Sequence, residues 1–323
     1  MLQAALDTAP RLLQLAIPAF LGALAGRGGL FRDPEEAINA LNTYALNIGF
    51  PALIALGLVD AQLDLPSSPL FYLAWPICLF AMLTTLWFIP WQQIRESLGT
   101  LSLVVVFGNV AYLGLPYVRA TFGEQIGGAA ALAVAIHVTG AVTLGPTVLA
   151  LWAGGQEKPT TRQLVARVAK QPLFWAPIVG LVMRALPGAA RDTASAWLGP
   201  IAASAAPVAL FLLGLYLYQQ RDRLAARDLP LLGHLLVRQF VTPLSMLALM
   251  VVGWNLGWVS GEHAALHVVL ASMPVAITTF SMAHQAGARS DRVGAAIVWS
   301  SILSLLLLPL WSSVAKAIFE QAP

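Results

Sequence analysis

The residues best suited to chemistry lie in two interrupted apolar stretches of the sequence. The first reads GNVAYLGLPY at 108–117 and carries Asn109, and the second reads ASMPVAITTF at 271–280. An interrupted helix exposes backbone N–H groups at one half-helix end and C=O groups at the other. The amino end attracts anions, and an asparagine amide donates and accepts hydrogen bonds. The pattern therefore predicts a binding site for a small organic anion.

The predicted substrate site consists of polar and helix-breaking residues, most of them in these two stretches. They are Gly108, Asn109, Gly114, Pro116, Ser272, Pro274, Thr278, Thr279 and, on an earlier segment, Asn47. His137 and His284 are the candidates for ion coupling, because proton-driven carriers use titratable side chains inside the membrane. A structural hydrogen bond between helices is the alternative role for each histidine.

The charged residues favour an anionic substrate. Acidic residues lie in loops or at segment ends, with Asp60 and Glu124 nearest to membrane depth. A site without a buried carboxylate does not attract an organic cation. Coupling to Na⁺ bound by freed carbonyls, coupling to protons and uncoupled movement driven by the membrane potential all stay open. Neither a cofactor, a metal site nor nucleic-acid binding is expected.

Composition places these residues in membrane helices. The chain is 58% hydrophobic and 10% charged, with a mean hydropathy of +0.75, whereas soluble domains carry about 25% charged residues. Its apolar runs approach the roughly 20 residues of a spanning helix, which predicts an all-α membrane protein. The ten predicted segments are 10–31, 37–60, 69–91, 98–122, 125–153, 172–190, 195–218, 231–258, 264–286 and 293–319.

The basic residues predict the orientation. Thirteen of the 18 Lys and Arg residues, with Arg238 counted among them, fall on the side of the loops after odd-numbered segments. The other five are Arg11, Arg119, Arg184, Arg191 and Lys316. The positive-inside rule then puts the 154–170 loop in the cytoplasm. Both termini lie outside an inner, or plasma, membrane.

The two halves of the chain resemble each other. Pro18, Pro51 and Pro146 correspond to Pro177, Pro207 and Pro309. The predicted organisation is a five-helix repeat at 1–153, a cytoplasmic linker at 154–170 and a second repeat at 171–323. Since five is odd, the repeats are inverted, and the interrupted segments are fourth and ninth. Paired interrupted helices near the midplane are typical of secondary transporters, which favours alternating access.

Three motifs resemble the auxin efflux carrier family: GNVAYLGLP at 108–116, MPVAITTFSMAHQAG at 273–287 and FPALIALGL at 50–58. That family includes plant auxin exporters and bacterial transporters of malonate- or malate-like acids. The resemblance implies crossing broken helices four and nine, an elevator mechanism with a mobile core against a scaffold, efflux of organic acids, and pairing into homodimers.

The resemblance has limits and leaves alternatives. The plant carriers have an Asn-Pro pair in both crossing helices, so only Asn109 and Pro274 carry over, with Ser272, Thr278 or Thr279 in place of the second amide. A more distant similarity to bile-acid sodium symporters gives the alternative of a Na⁺- or H⁺-coupled organic acid symporter. An intramembrane hydrolase is a remote alternative, disfavoured because Glu35 and Glu36 read as first-turn helix acids.

Overall fold

The computed structural model describes residues 16–59, 66–87, 102–152, 160–222, 229–285 and 290–319, and these ranges are helical apart from short connections and one isolated bridge. In chain order the helices are α1 (Ala16–Arg27), α2 (Pro34–Val59), α3 (Pro69–Trp87), α4 (102–106), α5 (110–122), α6 (Gly127–Trp152), α7 (Thr161–Ala169), α8 (Pro172–Arg184), α9 (Gly188–Gln219), α10 (229–255), α11 (Gly261–Ala271), α12 (Thr278–Gln285) and α13 (Ser290–Phe319).

The helices support a membrane location. Within the described ranges, four are long and apolar enough to cross a bilayer: Pro34–Val59, Gly188–Gln219, Leu231–Asn255 and Ser290–Phe319. Ala16–Arg27, Pro69–Met82 and Pro172–Arg184 are shorter apolar helices. Large apolar side chains such as Phe80, Trp197 and Leu306 are exposed to the surroundings. The chain is a multi-pass membrane protein. Its described ranges are helical, which confirms the predicted all-helical class.

Helix starts follow local sequence signals. Asp33 caps α2 by accepting hydrogen bonds from the N–H groups of Glu35 and Glu36, each at 3.0 Å, and Pro34 occupies the first turn. The predicted 154–170 linker contains a helix, α7. Thr160 and Gln163 start it with reciprocal hydrogen bonds of 2.8 and 3.3 Å. This is a capping box, so the signal for α7 was present in the sequence.

Three prolines are each preceded by a π-helical turn. The turns Ala45–Gly49, Val110–Gly114 and Val237–Val241 end two residues before Pro51, Pro116 and Pro243. Proline has no N–H to donate and its ring crowds the carbonyl four residues back. A wider turn relieves that crowding while the helix continues. The helices therefore pass through these prolines without ending.

The residues divide into two compact units, and each unit takes segments from both predicted repeats. The first unit contains Met1–Leu65, Ala111–Thr139 and Val168–Gln219. Within it α2 packs against α8 and α9. α1 and α9 approach closely, since a methyl group on Gly22 or Gly214 would overlap the backbone carbonyl of Phe211 or Ala19. Glycine permits this backbone contact, as small residues do between membrane helices.

The second unit contains Pro66–Val110, Gly140–Arg167 and Gln220–Pro323. Its core is formed where α10 packs against α3 and α11, and where α13 packs against α11 and α12. α11 is buried from Ala264 to its end at Ala271. The second predicted interruption, 271–280, and residues 108–110 of the first lie in this unit.

Candidate functional site

The two interruptions of the sequence pair with each other in the second unit. The backbone N–H of Asn109 donates to the carbonyl of Pro274 at 2.7 Å, and the N–H of Ala276 donates to the carbonyl of Phe107 at 2.9 Å. Gly108 and Val275 form an antiparallel bridge between these bonds. Since a residue before proline favours extended backbone, Met273-Pro274 is a natural place to leave the helix. The pairing satisfies backbone groups that would be costly to bury alone.

The interruption in the first stretch is shorter than the sequence predicts. Only residues 107–109 are non-helical there. Gly114 and Pro116 lie in α5, the first at the end of its π-turn and the second in its first α-helical turn. Both are buried. The expectation that Pro116 breaks the helix is wrong, because the preceding π-turn accommodates it.

Ser300 on α13 holds the second stretch from the other side. Its hydroxyl accepts a hydrogen bond from the N–H of Val275 at 3.0 Å and donates to the carbonyl of Ile297 at 3.2 Å. Gln239 on α10 donates to the carbonyl of Ser300 at 2.8 Å. Trp311 donates to the carbonyl of Gln239 at 3.1 Å, which is the acceptor that Pro243 leaves without its usual helical donor.

Replacing Ser300 with alanine should lower the free energy of unfolding by about 1–3 kcal/mol, because the buried N–H of Val275 loses its acceptor. Thermal unfolding of the purified protein in detergent measures the change. Ser304→Ala is the matched control, since the Ser304 hydroxyl donates only to the carbonyl of Ser301 on its own helix. Equal midpoints for the two variants would contradict a supporting role for Ser300.

Arg238 on α10 contacts the paired stretches, and the predicted site did not include it. Its side chain is fully buried. Nε and Nη2 donate to the carbonyl of Met273 at 2.8 and 2.6 Å, and Nη1 donates to the carbonyl of Val105 at 3.0 Å. Counting Arg238 with the loop residues is therefore wrong, and the basic-residue tally becomes twelve against five. The available signal was an arginine inside an apolar segment, which marks function by default.

Gly108 lies directly against this guanidinium. A methyl group at position 108 would overlap Nη2 of Arg238. The position therefore requires glycine for the close approach of backbone and side chain. Gly108, which was predicted for the site, and Arg238, which was not, therefore lie in direct contact.

The amide nitrogen of Asn109 is buried at the paired stretches. The residue is 3% exposed, and its Nδ2 has no hydrogen-bond partner among the described residues. Leaving such a donor unpaired costs about 1–3 kcal/mol. An amide donor held at the paired interruptions is therefore available to a ligand.

The hydroxyl groups predicted for the second stretch are used locally. Ser272 donates to the carbonyl of Val269 at 2.7 Å, and Thr279 donates to the carbonyl of Ala276 at 2.5 Å. Thr278 begins α12 and is half-buried. Asn47 belongs to the first unit, where it is exposed and donates to the carbonyl of Thr43 at 2.8 Å. The structure therefore brings together Gly108, Asn109, Ser272, Pro274, Thr278 and Thr279 but not Asn47.

The histidines are distributed over both units. His137 is buried on α6 in the first unit. His284 falls on α12, and its side chain lies outside the described residues. His267 on α11, which the sequence prediction did not include, is fully buried with its ring edge-on to Phe71 at 4.8 Å. The ring of His263 lies 5.1 Å from Phe71.

The first unit contains a separate cavity of about 690 Å³. It is lined by apolar and small residues of α2, α6 and α9, together with Arg119, Glu124 and Gln125. Arg119 forms an ion pair with Glu124, so its charge is compensated within the protein.

Comparison with known proteins supplies the biological context. Residues 156–312 match the membrane transport protein family. The chain is 29% identical over 290 residues to an uncharacterized transporter of Methanothermobacter thermautotrophicus, covering 87% of this chain and 90% of that one. It is 26% identical over 300 residues to a Rhizobium meliloti protein provisionally named as a malonate transporter, covering 88% and 89%.

The similarity extends over nearly the whole chain. Against the uncharacterized transporter YfdV of Escherichia coli K12, identity is 23%, with 95% of this chain and 97% of that protein covered. These matches support the resemblance stated from the motifs. The chain is similar over most of its length to membrane transport proteins.

Proposed function

We propose that this transporter moves small organic anions and binds their carboxylate group at the paired interruptions around Asn109. The observation that carries the proposal is the buried Nδ2 of Asn109, which has no partner among the described residues. α5 and α12 each start directly after one of the paired stretches in the chain. The amino-terminal end of a helix favours negative charge. The buried charge that contacts these stretches, Arg238, is positive.

The proposed substrates are small mono- or dicarboxylates, including malonate- or malate-like and auxin-like acids. The Rhizobium meliloti relative is provisionally named as a malonate transporter, which makes malonate the first acid to test. Acidic residues do not contact the paired stretches in the described hydrogen bonds and ion pairs. An anion therefore meets no like charge among those contacts.

The proposed mechanism is alternating access by crossing helices. The architecture we propose is ten spans in two inverted five-helix repeats, with α4–α5 and α11–α12 as the crossing pair and an elevator-like movement of a core. The antiparallel pairing of Gly108 with Val275 supports this arrangement. Efflux across the inner membrane follows from an interior-negative potential, which drives anions outward. We also propose that both chain termini lie outside the cell and that the protein forms a homodimer.

Replacing Asn109 with alanine should reduce counterflow of labelled malonate into proteoliposomes by about 10- to 100-fold, because a hydrogen bond to a charged group contributes about 1.5–3 kcal/mol. Asn109→Asp should reduce it further by placing a negative charge at the site. Asn255→Ala is the control, since Asn255 is exposed on α10 and donates to Val251 of the same helix. Unchanged counterflow of every carboxylate tested, with folded Asn109→Ala, would refute the site assignment.

A further inference from the structure

We propose that the guanidinium of Arg238 is a resident cation, which fills the position that a coupling cation such as Na⁺ would need and so makes transport independent of sodium. The inference deepens the proposed organic-anion transport and rests on it. It starts from a contact that neither the sequence motifs nor the relatives assign.

The first step is that Arg238 is buried and forms no ion pair with a carboxylate in the ranges that the structure describes. The residue is 0% exposed. The ion pairs found in the described ranges are Arg119–Glu124 and Arg191–Asp192, and neither involves Arg238. A buried charge needs compensation from its surroundings. Among the described residues, backbone carbonyls accept from Arg238 in place of an acidic side chain.

Two helix ends supply this compensation. Val105 lies in the last turn of α4, and Met273 follows the end of α11 by two residues. Both carbonyls accept from the guanidinium, with N–O distances from 2.6 to 3.0 Å. The carbonyls at helix carboxyl ends carry partial negative charge, so both acceptors stabilise the positive guanidinium.

The same carbonyls are the ligands that a coupling ion would use. In secondary transporters, unwound carbonyls and half-helix carboxyl ends coordinate Na⁺. Here the fork of Arg238 already bonds to both ends. A second monovalent cation at roughly 4 Å from the guanidinium would lose about a thousandfold in affinity by repulsion alone. The guanidinium of Arg238, on α10, thus occupies the place of a bound cation.

The position of Gly108 is independent support. Glycine at this position leaves the space that Nη2 of Arg238 occupies, and any side chain there would overlap it. The π-turn Val237–Val241 places Arg238 and Gln239 inward together. Gln239 donates to Ser300, and Ser300 accepts from Val275, so the cation lies in one network with the paired stretches.

The test begins with wild-type protein in proteoliposomes. Counterflow of labelled malonate should be equal in Na⁺, K⁺ and N-methylglucamine media. A requirement for Na⁺ would overturn the proposal. If no carboxylate is transported, the proposed function fails. The resident cation is then tested by the thermal unfolding midpoint of the wild type in detergent, which should not change when Na⁺ is exchanged for N-methylglucamine.

Arg238→Ala provides the second arm. Counterflow should fall by about 100-fold, and millimolar guanidinium ion should restore part of it. Ethylammonium carries the same charge without the planar fork, so it should restore less. Folded Arg238→Ala that responds to neither ion, in transport or in unfolding midpoint, would show a purely structural arginine and overturn the proposal.

Arg238→Lys keeps the inference testable if the alanine variant does not fold. Lysine retains the charge but lacks the fork that bridges both carbonyls. We expect slower counterflow that still needs no sodium, and a sodium-stimulated rate in this variant would contradict the proposal. Gly233→Ala is the control on the same helix, because a methyl group there meets nothing within 4 Å.

Discussion

Gly108→Ala should abolish transport and lower the free energy of unfolding by about 3–5 kcal/mol, the range for leaving a buried charge without its partners. The added methyl group overlaps Nη2 of Arg238. The guanidinium must then leave the carbonyls of Val105 and Met273, or the stretch at 107–109 must move away from Val275. Either response breaks hydrogen bonds of fully buried groups, which are then left unpaired.

Two measurements check this expectation: counterflow of labelled malonate and thermal unfolding in detergent. Gly233→Ala is the matched control, since it makes the same substitution in the same unit with open space around it. Wild-type counterflow and stability in Gly108→Ala would contradict the contact between Gly108 and Arg238. Loss of transport with unchanged stability would locate the role of Gly108 in function rather than in folding.

Gly214→Ala should destabilise the first unit by about 1–3 kcal/mol through overpacking. The new methyl group would overlap the backbone carbonyl of Ala19 on α1. Two helix backbones cannot relax as a side chain can by changing rotamer, so α1 must shift away from α9. Gly22→Ala should act in the same way, because its methyl group would overlap the carbonyl of Phe211 on α9.

Gly199→Ala is the control for this contact, because it lies on the same helix and a methyl group there meets nothing within 4 Å. Alanine has a higher helix propensity than glycine, so this variant should be neutral or slightly stabilised. The thermal unfolding midpoint of each variant in the same detergent gives the comparison. Equal midpoints for Gly214→Ala and Gly199→Ala would rule out close packing of α1 and α9.

The positions of several long helices were predictable from hydropathy. The ends of α2 and α13 fall within a few residues of the predicted segments 37–60 and 293–319. The interruption near Pro274 was also predictable, because proline acts on the backbone directly. These features depend on residues close to each other in the chain, which a single sequence contains.

The partners within the site were not predictable in the same way. Arg238 meets Val105 across 133 positions of sequence and Met273 across 35, and no local pattern encodes such contacts. Pro116 was misassigned because a proline that breaks a helix and one that follows a π-turn have the same local composition. The bond between Val275 and Ser300 depends on how α13 packs.

Because of their π-turns, α2, α5 and α10 cannot each be described by a single helical wheel. Each π-turn adds one residue relative to an α-helix, and one residue corresponds to about 100° of rotation. A face traced from the start of α10 therefore loses its phase across Val237–Val241. Cysteine pairs or spin labels placed along α2, α5 or α10 should be chosen separately on the two sides of each π-turn. A wheel drawn through the turn would assign its second half to the wrong face.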